Sequence, residues 1–440
     1  MSPLLTGWGR TAPTRADVVR PTSVEQVSEA LASGRPVIAR GLGRSYGDAA
    51  QNGGGLVVDA TGLDDIATLE DGFLDAGAGL EIATLIARAL PHGWFPPVTP
   101  GTGHITLGGA LAADVHGKNH HVDGSFARHV EHFELVAPGG EVLQVRPGDE
   151  LFAATAGGMG LTGVITRVRL RLSPVSSAAM RVTVSRAPNL AALMRSMRER
   201  DGAHRYSVAW IDCLKRGDAL GRGVVLWGDH ATAEELPPAR RADPLAHRAG
   251  PRLRVPDLVP PGLLNGTVAR AFNEVHYRRT PARERIVLQD IGSYFHPLDA
   301  ISAWNRLYGP RGFVQYQAVV AEDDAVRALL ERVSSGGTSS FLAVLKRFGE
   351  GAGMLSFPIA GWTLALDIPL GASDLAAELD ALDEIVAEAG GRVYLAKDAR
   401  VRPEMLRRMY PELDRWREIR RRIDPEGLLR SDLSTRLGLT

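Results

Sequence analysis

PGTGHITLGGALAADVHGKNHH, residues 100–121, is the stretch on which the reading of this chain turns. Pro100, Gly101 and Thr102 end a loop, Thr106 is placed to cap, and LGGALAAD opens a helix of small residues whose positive N-terminal end suits an anion. The run continues directly into His116-Gly117-Lys118-Asn119-His120-His121. Three histidines within six residues invite a metal site, but their spacing is not the His-x-x-x-His of one helical face. A histidine packed beside a cofactor ring fits better.

Two further glycine-rich segments flank this one. Upstream, ARGLGRSYGD (39–48) offers consecutive backbone N–H groups in a flexible turn with no acid before Asp48, which suits a pair of phosphates. Taken alone it is also an ordinary β-turn. Downstream, AGGMGLTG (156–163) carries Gly158, Gly160 and Gly163 at the spacing of a dinucleotide fingerprint. That fingerprint must follow a strand and open a helix, whereas VITRVRLRL follows here, an alternating β run, so an NAD site is rejected. What remains is a tight turn before a strand, which suits a flavin site because glycine lets backbone approach a flat ring.

The 440 residues exceed the roughly 300 at which single cores stop growing, so two domains are expected. Lys+Arg 51 against Asp+Glu 51 leaves no net field to attract nucleic acid. Cys213 is the only cysteine, which excludes an intrachain disulfide and a cysteine zinc site. MSPLLTGWGR lacks the basic and apolar regions of a secretory signal, and no 18-residue apolar run occurs, so the expectation is a soluble or peripheral protein. Only four of the basic residues are lysine, namely Lys118, Lys215, Lys346 and Lys397. In a chain that otherwise uses arginine for positive charge, a retained lysine points to what guanidinium cannot do: shift its pKa or accept a proton.

The coarse organisation is α+β. Ser23, with Gln26 three residues on, caps a helix closed by Gly34, and strands and helices alternate to about residue 175. Residues 176–391 form a second region of strands such as YSVAWIDCL and GFVQYQAVV with covering helices. Within it, 235–283 is Pro- and Arg-rich and is expected to be an irregular loop. The tail, 392–440, is expected to form a strand, an Arg-rich amphipathic helix and a Pro425-led turn, and to return to the first domain.

The order of these segments, followed by GFVQYQ (312–317), VLKRFG (344–349), AGWTLALD (360–367) and VYLAKDAR (393–400), resembles the vanillyl-alcohol-oxidase/PCMH-type flavoproteins. Within them the chain is similar to the decaprenylphosphoryl-β-D-ribose 2′-oxidase family over essentially its whole length. The resemblance implies a two-domain fold: an FAD-binding domain (1–175, completed by 392–440) and a substrate domain with an antiparallel sheet (176–391). It places FAD on Ala39, Arg40, Gly41, Leu42, Gly43, Arg44, Ser45, Tyr46, Gly47, Asp48 and Ala49. Gly101, Thr106, Leu107, Gly108, Gly109, Ala113, Asp114, Val115 and His116 would continue that surface, with Ile165 and Tyr394 lining the rest. Many relatives attach FAD through a histidine in the first glycine-rich loop. Arg44 stands there in this chain, so the flavin is expected to be non-covalent.

The same resemblance puts the active site on His116, Lys118, Tyr46, Gln315, Gln317, Lys346 and Lys397, with Trp210 and Tyr294 as pocket walls. Lys397 and His116 are both candidates for the base. Ala365 stands where many relatives have cysteine, and Thr363 where some have asparagine. The implied activity is oxidation of the ribose 2′-hydroxyl of a polyprenyl-phosphoryl ribose to a keto sugar, the first half of an epimerisation that makes the arabinose donor of actinobacterial cell walls. An NAD(P)H-dependent reductase partner would complete it. A lipid-linked substrate implies membrane association, at the cytoplasmic or periplasmic face, and LVPPGLL (258–264) with nearby arginines is a candidate lipid contact. An oxygen-using alditol or aldonolactone oxidase, an NADPH-linked amino-sugar reductase and a non-catalytic flavin module are the competing readings.

Overall fold

The computed structural model describes residues 2–247, 253–256, 266–336, 340, 342–371 and 374–440. LVPPGLL (258–264) therefore lies outside the described residues.

The first part of the chain builds two sheets. A small parallel one joins Asp17–Val19, Leu56–Asp59 and Val37–Arg40. The crossover helix Val24–Leu31 is capped by Ser23, which accepts from the Gln26 N–H, and Gln26 Oε1 returns to the Thr22 N–H. The second sheet is antiparallel, in the order Val142–Val145, Val130–Val136, Val164–Arg171, Phe73–Gly77, Ile66–Glu70. The strand Val164–Arg171 comes straight out of the AGGMGLTG turn, and the element before that turn is the helix Glu150–Thr155. Both flanks are thus the reverse of a dinucleotide fingerprint, for the reason the alternating VITRVRLR pattern gave.

An eight-stranded antiparallel sheet dominates the rest, in the order Arg285–Asp290, Ala179–Ala187, Gly223–His230, Tyr206–Ile211, Ala343–Phe348, Gly361–Pro369, Phe313–Val320, Arg392–Val393. The helices Leu190–Arg200, Asp323–Ser335 and Leu375–Glu388 bury their apolar stripes. Arg392–Val393 adds the last strand beside Phe313–Val320, so the large sheet runs two residues beyond 391. The chain then crosses back. Arg430 donates to the Val37 carbonyl, Asp432 accepts from the Gly53 N–H, and the fully buried Trp416 donates from Nε1 to the Ala154 carbonyl at 2.9 Å.

The 235–283 stretch is more ordered than its composition predicts. Residues Gly266–Arg279 form a 14-residue helix, because TVARAFNEVHYRR is free of the prolines and glycines that crowd the segment before it. Among the described residues, no helix is long and apolar enough to cross a membrane.

Candidate active site

Close backbone approaches bring the quoted segments together. A Cβ on Gly41 would lie 2.3 Å from Thr106 Oγ1, and one on Gly47 would lie 1.9 Å from the Asp398 carbonyl oxygen, so both positions require glycine. The Tyr46 N–H donates to Ala396 at 2.9 Å, which stitches the first turn to the Lys397 segment. The Gly157 and Met159 N–H groups donate to Leu111 and Ala112, setting the third segment against the end of the helix Leu107–Ala112.

That helix does not present a free N-terminus to an anion. Thr106 caps it, accepting from the Gly109 N–H at 3.2 Å, while the Leu107 and Gly108 N–H groups donate to Leu80 and Ala78. The free donors are in the first turn: among the described residues, no protein group accepts from the N–H of Gly43, Arg44 or Ser45. A Cβ on Gly101 would meet nothing within 4 Å. These unspent donors and this open backbone fit a pyrophosphate-bearing cofactor. Arg44 stacks over Trp8, 3.9 Å from the ring centre. Other members of the predicted FAD surface are committed within the protein: Arg40 to the Ala50 and Thr6 carbonyls, Asp48 to Arg436, and Asp114 to the Ala127 N–H and Ser356. Ile165 is buried in its strand opposite Leu135, and Tyr394 donates to the Ala113 carbonyl at 2.8 Å.

The three histidines go to three places. His120 accepts from the Gly349 N–H and packs on Phe348, and His121 lies against the Asp201 and His204 carbonyls. Among the described residues no group of His, Cys, Asp or Glu is arranged to hold a metal ion.

His116 is buried between Gln317, with Nε2 to Nε2 at 3.0 Å, and Lys346, with Nζ to Nδ1 at 3.0 Å. Thr363 Oγ1 donates to the Ala318 carbonyl and so receives a hydrogen from Gln317 Nε2 at 3.1 Å. This orients the amide so that its nitrogen also faces His116 Nε2. The ring proton then belongs on Nδ1, and Lys346 must accept it, a role open only to a neutral amine. Burial, reinforced by Lys118 and Lys397, lowers the Lys346 pKa to about 7. Burial and the neighbouring Lys346 hold His116 well below its ordinary range.

The other lysines sit over aromatic rings. Lys118 Nζ donates to the Tyr294 carbonyl and lies 4.1 Å from the ring centre of the same residue; burial lowers its pKa to about 7. Lys397 Nζ lies 3.9 Å from the Tyr46 ring centre, and burial, opposed by Asp367, brings it to about 8. The fourth lysine, Lys215, pairs with Glu274 at the surface. Gln315 Nε2 lies 3.3 Å from Tyr46 Oη and donates to Asp367. Trp210 stands opposite Val344, on the face of the sheet that carries Lys346, with its ring against His276. Asp367, Phe348 and Phe357 complete this wall without having been singled out in the sequence; Phe357 stacks on Tyr394 with ring centres 4.6 Å apart.

Residues 16–146 match a family model described as an FAD binding domain, and 376–437 match one described as D-arabinono-1,4-lactone oxidase. With the geometry above they define a class: the chain is an FAD-dependent oxidoreductase with the two-domain α+β fold of vanillyl-alcohol-oxidase/PCMH-type flavoproteins. It is 41% identical, over 99% of its length and 97% of the relative's, to the decaprenylphosphoryl-β-D-ribose oxidase of Mycolicibacterium smegmatis. An uncharacterized protein in the mprA 5′ region of Streptomyces coelicolor is 44% identical over 81% of this chain and 99% of the relative. An alditol oxidase from a Streptomyces strain is 28% identical over 40% of this chain and 43% of the relative. The chain belongs to the decaprenylphosphoryl-β-D-ribose oxidase family.

Proposed function

We propose that the protein oxidises the 2′-hydroxyl of decaprenylphosphoryl-β-D-ribose to the 2′-keto sugar. The observation that carries this reading is three desolvated lysines, Lys118, Lys346 and Lys397, with Asp367 as the one carboxylate acting on any of them among the described residues. Three buried amines whose pKa values burial has brought to about 7, 7 and 8 can take up charge when an anion arrives, which suits a phosphate-bearing sugar.

When bound, FAD would supply the two-electron oxidation by accepting a hydride from the carbinol carbon. Lys397 takes the hydroxyl proton, because among the described residues its amine has no hydrogen-bonded partner to displace, whereas both His116 nitrogens are engaged. Lys118 and Lys346 hold phosphate or sugar oxygens, Gln315, Gln317 and Tyr46 fix the ring, and Trp210 and Tyr294 wall the pocket. Ala39–Ala49 and Gly101 would hold the FAD pyrophosphate, with Thr106–Gly109, Ala113–His116, Ile165 and Tyr394 lining the rest of the cofactor. Residues 1–175 with 392–440 form the flavin-holding domain, and 176–391 the substrate domain.

Anaerobic addition of farnesylphosphoryl ribose, a short-chain substrate, is expected to bleach the flavin; flavin that stays oxidised overturns the reading. The match of 376–437 to the lactone oxidase model favours one second reading, a soluble-sugar oxidase. Rapid oxygen uptake with an alditol or aldonolactone would select it.

The flavin is non-covalent, since arginine cannot form the histidyl bond. Denaturation should release all of it into the supernatant. A membrane contact is supported by exposed Val268, Phe272 and Val275 on one helix and by exposed Ile286 and Leu288 on the outermost strand. Arginines 270, 278, 279 and 285 accompany them. Co-sedimentation with anionic vesicles, lost in Phe272→Ser, checks it. A separate NAD(P)H-dependent reductase returns the keto sugar to the alcohol; its addition should make NAD(P)H oxidation depend on this enzyme's product.

A further inference from the structure

Cross-strand register places Asp367 opposite Gln315 in the large sheet. Its side chain is completely buried. Oδ1 accepts from Gln315, whose nitrogen also faces Tyr46 Oη, while Oδ2 is buried with no hydrogen-bond partner among the described residues. The backbone N–H of Asp367 is anchored to Ser340 Oγ and the Leu342 carbonyl. A buried carboxylate oxygen left unpaired is costly and calls for a reason.

The groups around Asp367 supply one. Tyr46 faces it from the first glycine-rich turn, with Arg44 behind, and Tyr308 from the helical turn Trp304–Tyr308. Lys397, which lies over the Tyr46 ring in the segment after Arg392–Val393, acts on it electrostatically, and acts likewise on Lys346 and His116. Lys397 is the cation that acts on Asp367 directly, and Asp367 is its sole acidic counterpart among the described residues.

We propose that Asp367 is a positioning residue for the oxidation: it supplies the counter-charge that lets Lys397 carry the substrate's hydroxyl proton, and through Gln315 it fixes the amide that meets the sugar. This rests on Lys397 as the proton acceptor. In the step, the O–H bond breaks with its proton passing to Lys397 Nζ, the C–H bond breaks with hydride leaving for FAD, and the carbonyl forms. The ammonium so made faces the Asp367 carboxylate.

The test is the pH profile of anaerobic flavin reduction by farnesylphosphoryl ribose in the holoenzyme. Asp367→Asn removes the charge that favours the ammonium, so the rising limb should move about one unit or more to lower pH, with a lower plateau and unchanged FAD content. Asp367→Glu should restore the parent limb. An Asn variant whose limb coincides with the parent's overturns the proposal. If that variant fails to retain FAD, difference infrared spectra of the unaltered enzyme decide: a carboxyl band that changes on flavin reduction supports the role, and a silent carboxyl region across the limb overturns it. Lys397→Met separates the two readings. Full activity there sinks Lys397 as the base, whereas its loss beside an unshifted Asp367→Asn limb sinks only the role of Asp367.

Discussion

The two ends of the candidate site solve the problem of buried polar groups in opposite ways. At one end His116, Gln317, Thr363 and Lys346 form a closed circuit in which every ring and amide nitrogen has a partner. At the other, Lys397 rests on an aromatic face and Asp367 keeps an oxygen unpaired among the described residues. A satisfied network rigidifies and orients, and an unsatisfied one retains capacity to take up or release a proton. In the proposed mechanism the first end holds the sugar and the second takes its proton.

The largest effect should come from the open end. Lys397→Met should lower the rate of flavin reduction about a thousandfold, the span of a lost general base. His116 cannot substitute, since burial and Lys346 hold it well below its ordinary range. A loss of tenfold or less in stopped-flow reduction would erase the distinction between the two ends.

A smaller effect follows from pH. The acceptor must be the neutral amine, and burial has brought Lys397 down to about 8. Flavin reduction should rise with pH through about 8, and fall about tenfold for each unit below it as the ammonium accumulates. Lys346, at about 7, becomes charged over a lower range, which ends its acceptance from His116 Nδ1 and should change KM there. Separate limbs in kcat and kcat/KM would keep the two ends distinct; a single shared limb would merge them.

How much of this was visible beforehand depends on whether the information is local. The turns at 39–48 and 156–163 and the cap at Thr106 are written in contiguous residues, and the lysines stood out because arginine carries nearly all the other positive charge. The Gly266–Arg279 helix was hidden by the prolines ahead of it. The helix Leu107–Ala112 looked like an anion site until Ala78 and Leu80, on another element, took its first N–H groups. Asp367 lay inside a quoted motif and gave no signal, because its meaning comes from facing Gln315 across a sheet whose strand order does not follow the sequence.

Thr363 tests the closed end most finely. Its hydroxyl bridges the Ala318 carbonyl and the Gln317 amide, so one side chain sets which way that amide points. Thr363→Val keeps the shape and removes the bridge. Gln317 is then free to turn its oxygen toward His116, which moves the ring proton to Nε2 and makes Lys346 the donor. Loss of one such bond is worth about 1 kcal/mol, so KM for the lipid-linked sugar should rise about fivefold. The kcat and its acid limb should stay unchanged, because Lys397 and Asp367 are untouched. A Thr363→Val variant with an unaltered KM would show that the amide is held by something other than this hydroxyl. A variant with a shifted kcat limb would show that the two ends titrate as one unit.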